Sequence, residues 1–298
     1  MNNKDISNIF EGIHQGAPLD EILHLAQIIA PGFDTELLKE VHRDLTAFFT
    51  GTHPDFQSNT MPYHNLRHSI LVVLASVRLF HGLHCNQVHI SAATLFKGLL
   101  AAYFHDSGML LREGDSAKSG TEYIVGHELR SIAHLSRYAE KKNFDSKIIK
   151  NCATIINYTN LESDPAIFNY HTHEIQIAGQ VVGSADILAQ MADRYYLEYL
   201  PLLFIEQQAG GISKHHSALN LMEHTSNFYH NIVLKRLITT FSNTSIALKA
   251  HFKDRHTIDR NLYIDNIDKN ILYLRKIIKK CNSMEDIQQY LKRTPPPI

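Results

Sequence analysis

The chain reads as an all-α protein, on three observations. Apolar residues recur at helical spacing along nearly all of its 298 residues. Alternating strand patterns bounded by Asn-Gly or Asp-Gly turns are absent. No internal repeat or low-complexity linker interrupts the pattern, and only the tail "RTPPPI" reads as a frayed end. With 44% hydrophobic and 20% charged residues there is material for a large core. The expected architecture is a helical bundle in three parts. Residues 1–59 form an N-terminal helical extension, 60–239 the functional core, and 240–298 C-terminal helices packed on that core.

In chain order, "HNLRHSILVVLASVRLF" aligns His68, Val72, Ala75 and Leu79 on one helix face. Its apolar run is the longest in the chain, but Arg78 breaks it and it is too short to span a bilayer. The N-terminus "MNNKDISNIFEGIHQG" lacks a hydrophobic signal core. A soluble, cytoplasmic protein with no membrane partner is the expectation. "SAATLFKGLLAAYFHD" places Ala92, Phe96, Leu99 and Tyr103 on one stripe, with Ser91 as its cap and Gly108 beyond its end. "ADILAQMADRYYLEYL" and "NLYIDNIDKNILYLRKIIKK" read as further amphipathic helices. The second of these packs on the core or, alternatively, joins a homodimer. Loops are clearest at 53–62, 112–122, 159–173 and 207–216, where they flank polar clusters set in apolar helices.

Charge narrows the function. Lys plus Arg total 29 against 30 Asp plus Glu, a formal net charge of −1, so no global field attracts a nucleic-acid polymer or an anionic membrane. Cys85, Cys152 and Cys281 are odd in number and widely spaced, which suggests neither a disulfide framework nor a thiolate zinc site and points to a reducing compartment. Twenty histidines are the one compositional excess.

Three short stretches concentrate chemistry. In "MPYHNLRHSILVV", His64 and His68 are four residues apart, one helical turn, so on a helix both imidazoles share a face. "AAYFHDSGM" ends a strongly apolar helix in His105 and Asp106, a pair that is costly to bury unless a divalent metal compensates. In "VVGSADILAQMADRYY", small apolar residues precede Asp186, whose carboxylate is expected to start a buried helix, with Asp193 two turns later as an ion pair or a surface carboxylate. Each stretch alone also fits a bland reading, a polar helix face or a capped helix end. Together they supply nitrogen and oxygen ligands on three helices of one scaffold.

This order of residues, "YHNLRH", then "HD", then "AD", resembles the HD-domain metal-dependent phosphohydrolases. More narrowly it looks like the catalytic domain of class I cyclic nucleotide phosphodiesterases, over roughly residues 60 to 235, and 60–239 is then an HD/PDEase-like catalytic core. The resemblance implies that His68, His105, Asp106 and Asp186 hold one metal, and that Asp106 bridges to a second. It implies His64 as general acid, with Asp106 the other catalytic residue. It implies Tyr63, Asn65 and Thr159, the last in "NYTN", as supporting residues, and His127 and Glu128 of "GHELRSIAHL" as contacts of the second metal or its water. A surface-facing polar pair is the other reading of His127 and Glu128. Phe228 is either a pocket wall or core. The sequence departs from the family's pattern at "HDSGML", where a further histidine is usual, at Asn160, where an aspartate is usual, and at "HTSNFYHNIV", which lacks the purine-clamping glutamine. "ADILAQMADRYYLEYLPLLF" instead is similar to bacterial HD-domain proteins of varied substrate.

Two divalent ions (manganese, magnesium, zinc or iron) suit a mixed His and Asp set. They would activate water for attack on phosphorus, while a histidine protonates the leaving oxygen. The expected activity is phosphodiester hydrolysis of a cyclic or small nucleotide, and Glu128 is the expected acidic neighbour of His64. Arg67 points away from the His64–His68 face toward a surface role, and Arg112 is a candidate to attract phosphate. The alternatives are a nucleotide phosphomonoesterase on the same site, an HD-fold di-iron oxygenase, and a catalytically degenerate nucleotide-binding module.

Overall fold

Leu66–Cys85 forms the central helix because its sequence offers apolar side chains on every face: residues from His68 to Gly82 are almost all buried. The computed structural model describes residues 17–163 and 172–295. Among them all regular structure is helical, and one isolated bridge joins Phe56 to Arg112. The first helices are α1 (Ala17–Ile29), α2 (Thr35–Thr50), α3 (Leu66–Cys85) and α4 (Ala92–Phe104). They are followed by α5 (His127–Lys141), α6 (Ser146–Ile156), α7 (His173–Met191) and α8 (Tyr196–Ala209). The C-terminal part holds α9 (Ala218–Phe228), α10 (Ala247–His256), α11 (Leu262–Ile278) and the short α12 (Met284–Gln288). α1, α4, α7 and α10 pack around α3, and one continuous apolar core runs from Ile22 to Ile287.

α3 has 20 residues and is apolar enough, by length and composition, to cross a membrane. This corrects the expectation that the run is too short. Its apolar surface is used in packing, since 72% of the apolar window is buried inside the protein.

Local chemistry sets where each helix begins. Asn65 caps α3, its side-chain oxygen accepting from the His68 backbone N–H at 3.2 Å. Ser91 caps α4 in the same way, through the Thr94 N–H at 3.3 Å. α4 ends at Phe104, where the Ser107 hydroxyl donates to the Phe104 carbonyl at 2.8 Å and Ser107–Met109 turns into a 3₁₀ segment. Gly108 is required there: a Cβ would sit 2.0 Å from the His127 carbonyl oxygen, so only glycine lets the start of α5 close on the His105–Asp106 turn.

Two expectations need correction. Asp186 does not start a helix; Thr172 caps α7 and Asp186 lies in its final third, because the small residues of "AGQVVGSA" pack well inside a buried helix. "ADILAQMADRYYLEYL" is not one helix either, since the chain turns between Met191 and Tyr196. There Asp193 Oδ1 accepts the Tyr195 N–H at 3.1 Å, and Asn270 of α11 donates to the carbonyls of Met191 and Asp193, each at 2.9 Å. The expected loop over 159–173 lies in part outside the described residues, as do the first 16 residues of the N-terminal extension.

Candidate metal centre

α3, α4 and α7 bring His68, His105, Asp106 and Asp186 to one point. His68 Nε2 lies 3.1 Å from Asp186 Oδ1 and 3.3 Å from Asp106 Oδ2. His105 Nε2 lies 3.1 Å from the same Asp106 oxygen, 3.6 Å from Asp186 Oδ1 and 3.4 Å from His68 Nε2. His105 Nδ1 donates to the Ala102 carbonyl at 2.8 Å, so in the neutral ring the Nε2 lone pair faces this centre. Asp106 Oδ2 is buried and accepts no well-aligned hydrogen bond. Ligands held about 2.1 Å from one ion are separated from their neighbours by about 3.0–3.4 Å in octahedral or tetrahedral geometry. The spacings found here are of that size. One atom each from His68, His105 and Asp106 falls within 4.8 Å of the others, a group able to hold a metal ion.

The electrostatics agree. Burial alone would push the His68 imidazole down, yet Asp106 and Asp186 outweigh it and lift it to about 9. His105 is driven the same way, against burial, chiefly by Asp106. Both carboxylates are held well below the usual range: burial opposes this, but the His105 and His68 rings prevail. A divalent cation among these carboxylates would take the place of protons on the rings.

His127 and Glu128 are not a surface pair. His127 Nδ1 donates to the Ile124 carbonyl at 2.8 Å, leaving Nε2 3.4 Å from Asp106 Oδ1, on the side away from His68. Burial opposes protonation of this ring, but Asp106 and Glu128 raise it to about 9. Glu128 is buried with an oxygen 3.6 Å from His127 Nδ1.

His64 is placed differently from expectation. The helix starts at Leu66, after the Asn65 cap, so His64 precedes α3 and does not share a helical face with His68. Its ring centroid is nonetheless 6.1 Å from that of His68. Its acidic partner is Glu206 of α8, not Glu128. Glu206, 1% exposed, accepts from His64 Nδ1 and from the Tyr63 backbone N–H, each at 2.6 Å, and from the His64 N–H at 3.3 Å. A lone acid inside "LPLLFIEQQ" was the available signal, because a carboxylate in an apolar helix needs a partner.

Tyr63 stacks near His68 at a centroid distance of 6.1 Å, and Asn65 acts through the helix cap. Arg67 is not a surface residue: it forms a forked ion pair with Asp193 under the rings of Tyr195 and Tyr199. Asp193 is thus the ion-pair carboxylate. Thr159 and Asn160 belong to the turn after α6; the Thr159 hydroxyl donates to the Ile156 carbonyl at 2.8 Å and the Asn160 side chain accepts from Glu162 and Ser163. Arg236 also donates to the Asn160 carbonyl at 2.6 Å, so these residues tie the turn to the C-terminal part of the chain. Phe228 is 36% exposed at the end of α9, which excludes a core role. Arg112 faces Asp55 and Phe56 instead of the His/Asp cluster.

Comparison with protein-family models and with curated proteins gives no match for this chain.

Proposed function

We propose that this chain is a metal-dependent phosphohydrolase of the HD type, and more concretely a phosphodiesterase acting on a cyclic or small nucleotide. The observation that carries the reading is His64 held by buried Glu206 at the edge of a buried His/Asp cluster. His68, His105, Asp106 and Asp186 would hold one divalent ion, and Asp106 with His127 would serve a second. Such ions lower the pKa of water and neutralise charge developing at phosphorus. Glu206 fixes the His64 ring, because Nδ1–H donates to its carboxylate and Nε2 becomes the nitrogen that gives up a proton. That proton goes to the leaving oxygen of the ester. Tyr63 packs both histidine rings, with its centroid 4.8 Å from His64, so the acid and the metal ligand are braced by one side chain.

The test is a panel of cyclic nucleotides, cyclic dinucleotides and nucleoside mono- and triphosphates, with manganese or magnesium, run beside Asp106→Ala. Diester turnover lost in the variant is the expected outcome. Turnover of monophosphates alone would make it a phosphomonoesterase. No turnover despite stoichiometric metal would overturn the hydrolase reading in favour of an oxygenase or a binding module.

A further inference from the structure

The far end of α3 carries a second group of donors. α3 and α10 cross so closely at Gly82 that a Cβ there would lie 1.9 Å from the Ala247 carbonyl oxygen. The crossing brings His81 and Cys85, one turn apart on α3, against His251 and Asp254, one turn apart on α10. His81 Nδ1 lies 3.2 Å from His251 Nδ1 and 3.6 Å from Cys85 Sγ. At most one of these two imidazole nitrogens carries a hydrogen in that contact, so a lone pair is directed to the same point. Asp254 approaches His81 from its other nitrogen, with Oδ2 3.7 Å from Nε2. One donor atom each from His81, Cys85 and Asp254 falls within 4.8 Å of the others.

We infer that His81 Nδ1, Cys85 and His251 form a second metal site, with Asp254 bracing the His81 ring from its other nitrogen, for a thiolate- and imidazole-preferring ion, with zinc the fitting choice. The distances support this. Zinc bonds of about 2.0–2.1 Å to nitrogen and about 2.3 Å to sulfur give tetrahedral edges near 3.3 Å for N···N and near 3.6 Å for N···S. The two contacts here match those edges without rearrangement. The donor chemistry also separates this group from the His/Asp centre: a sulfur ligand selects softer ions than an oxygen-rich cluster does. His81 and His251 are buried, whereas Cys85 is exposed and the Asp254 side chain is 56% exposed, so the site opens to solvent through the groups that complete it. Its consequence is a clamp between α3 and α10. The inference is independent of the proposed hydrolase activity.

The experiment is a cobalt(II) titration of chelator-stripped full-length protein, followed by absorption, together with zinc analysis after gel filtration. Expected is a thiolate-to-cobalt charge-transfer band that appears in the parent, saturates at one equivalent in Asp106→Ala and disappears in Cys85→Ser. Asp106→Ala should also retain one zinc, and the double variant Asp106→Ala/Cys85→Ser none. Cys85 is exposed, so its serine variant keeps the fold, which circular dichroism checks; His251→Gln should weaken cobalt at least tenfold with helicity retained. No band, a band that survives Cys85→Ser and so belongs to Cys152 or Cys281, or a band seen only at millimolar cobalt, the mark of an adventitious ion only, would each overturn the site.

Discussion

The two ends of α3 present histidines in opposite electrostatic settings, although His68 and His81 stand only about 20 Å apart along one helix. At the first end the rings face the Asp106 and Asp186 carboxylates, and His68 is raised to about 9 despite burial. At the second end burial dominates and pushes His81 down to about 4, with Asp254 opposing too weakly and Arg255 adding to the effect. His251 shifts downward too, by burial first and by Arg78 next. The same residue type is therefore a proton-holding partner of acids in one place and a neutral ring in the other. Burial lowers both rings; the number of carboxylates within about 3.5 Å decides the outcome.

The comparison can be broken by substitution. The largest effect is expected from His105→Ala, which removes a proposed ligand and the partner of Asp106: the proposed hydrolysis should fall roughly a thousandfold or more, with loss of metal from that centre. Cys85→Ser should leave this activity unchanged, and assays of both variants on one substrate check the independence of the two ends. Next comes Glu206→Gln. It frees the His64 ring and leaves a buried amide against two N–H groups, so kcat should drop about 10²–10⁴-fold with metal content retained. Loss of metal in that variant would show Glu206 to be structural only.

A smaller, pH-dependent effect concerns His134. Its Nδ1 donates to the Ser107 carbonyl at 2.9 Å, and burial, reinforced by Arg130, pushes the ring down to about 3. The unfolded chain binds a proton at this ring below about pH 6.5, while the folded chain does not until about pH 3. Stability is therefore present above that window and is lost as pH falls through it, by at most about 1.4 kcal/mol per pH unit. Urea unfolding at several pH values, with chelator, should show a shallower acid-side loss for His134→Gln than for the parent. The smallest effect is Asn65→Ala, which removes the α3 cap and should cost about 1 kcal/mol, measured by thermal unfolding.

How much of this was legible in the sequence depends on the range of each interaction. The helical class and the apolar faces of α3 and α4 follow from local periodicity, and Ser91 was readable as a cap. His68, His105, Asp106 and Asp186 could be picked out as one set by residue type and order, and the structure brings them together. What the sequence hid is long-range. Glu206 stands 142 residues from His64, with no local pattern to join them. The break at Met191 is held by Asn270 from α11, so helical periodicity alone ran two helices into one. Helical geometry alone points Arg67 to the surface, because its ion pair depends on that same break placing Asp193 beside it. The His81–His251 contact spans 170 residues and exists only because Gly82 lets α10 approach.

The most direct test is diffraction from crystals grown with manganese, recorded at the manganese absorption edge. The account predicts an anomalous peak bonded to His68 Nε2, His105 Nε2, Asp106 and Asp186. A map with no peak there, and His68 hydrogen-bonded directly to the two carboxylates, would contradict it.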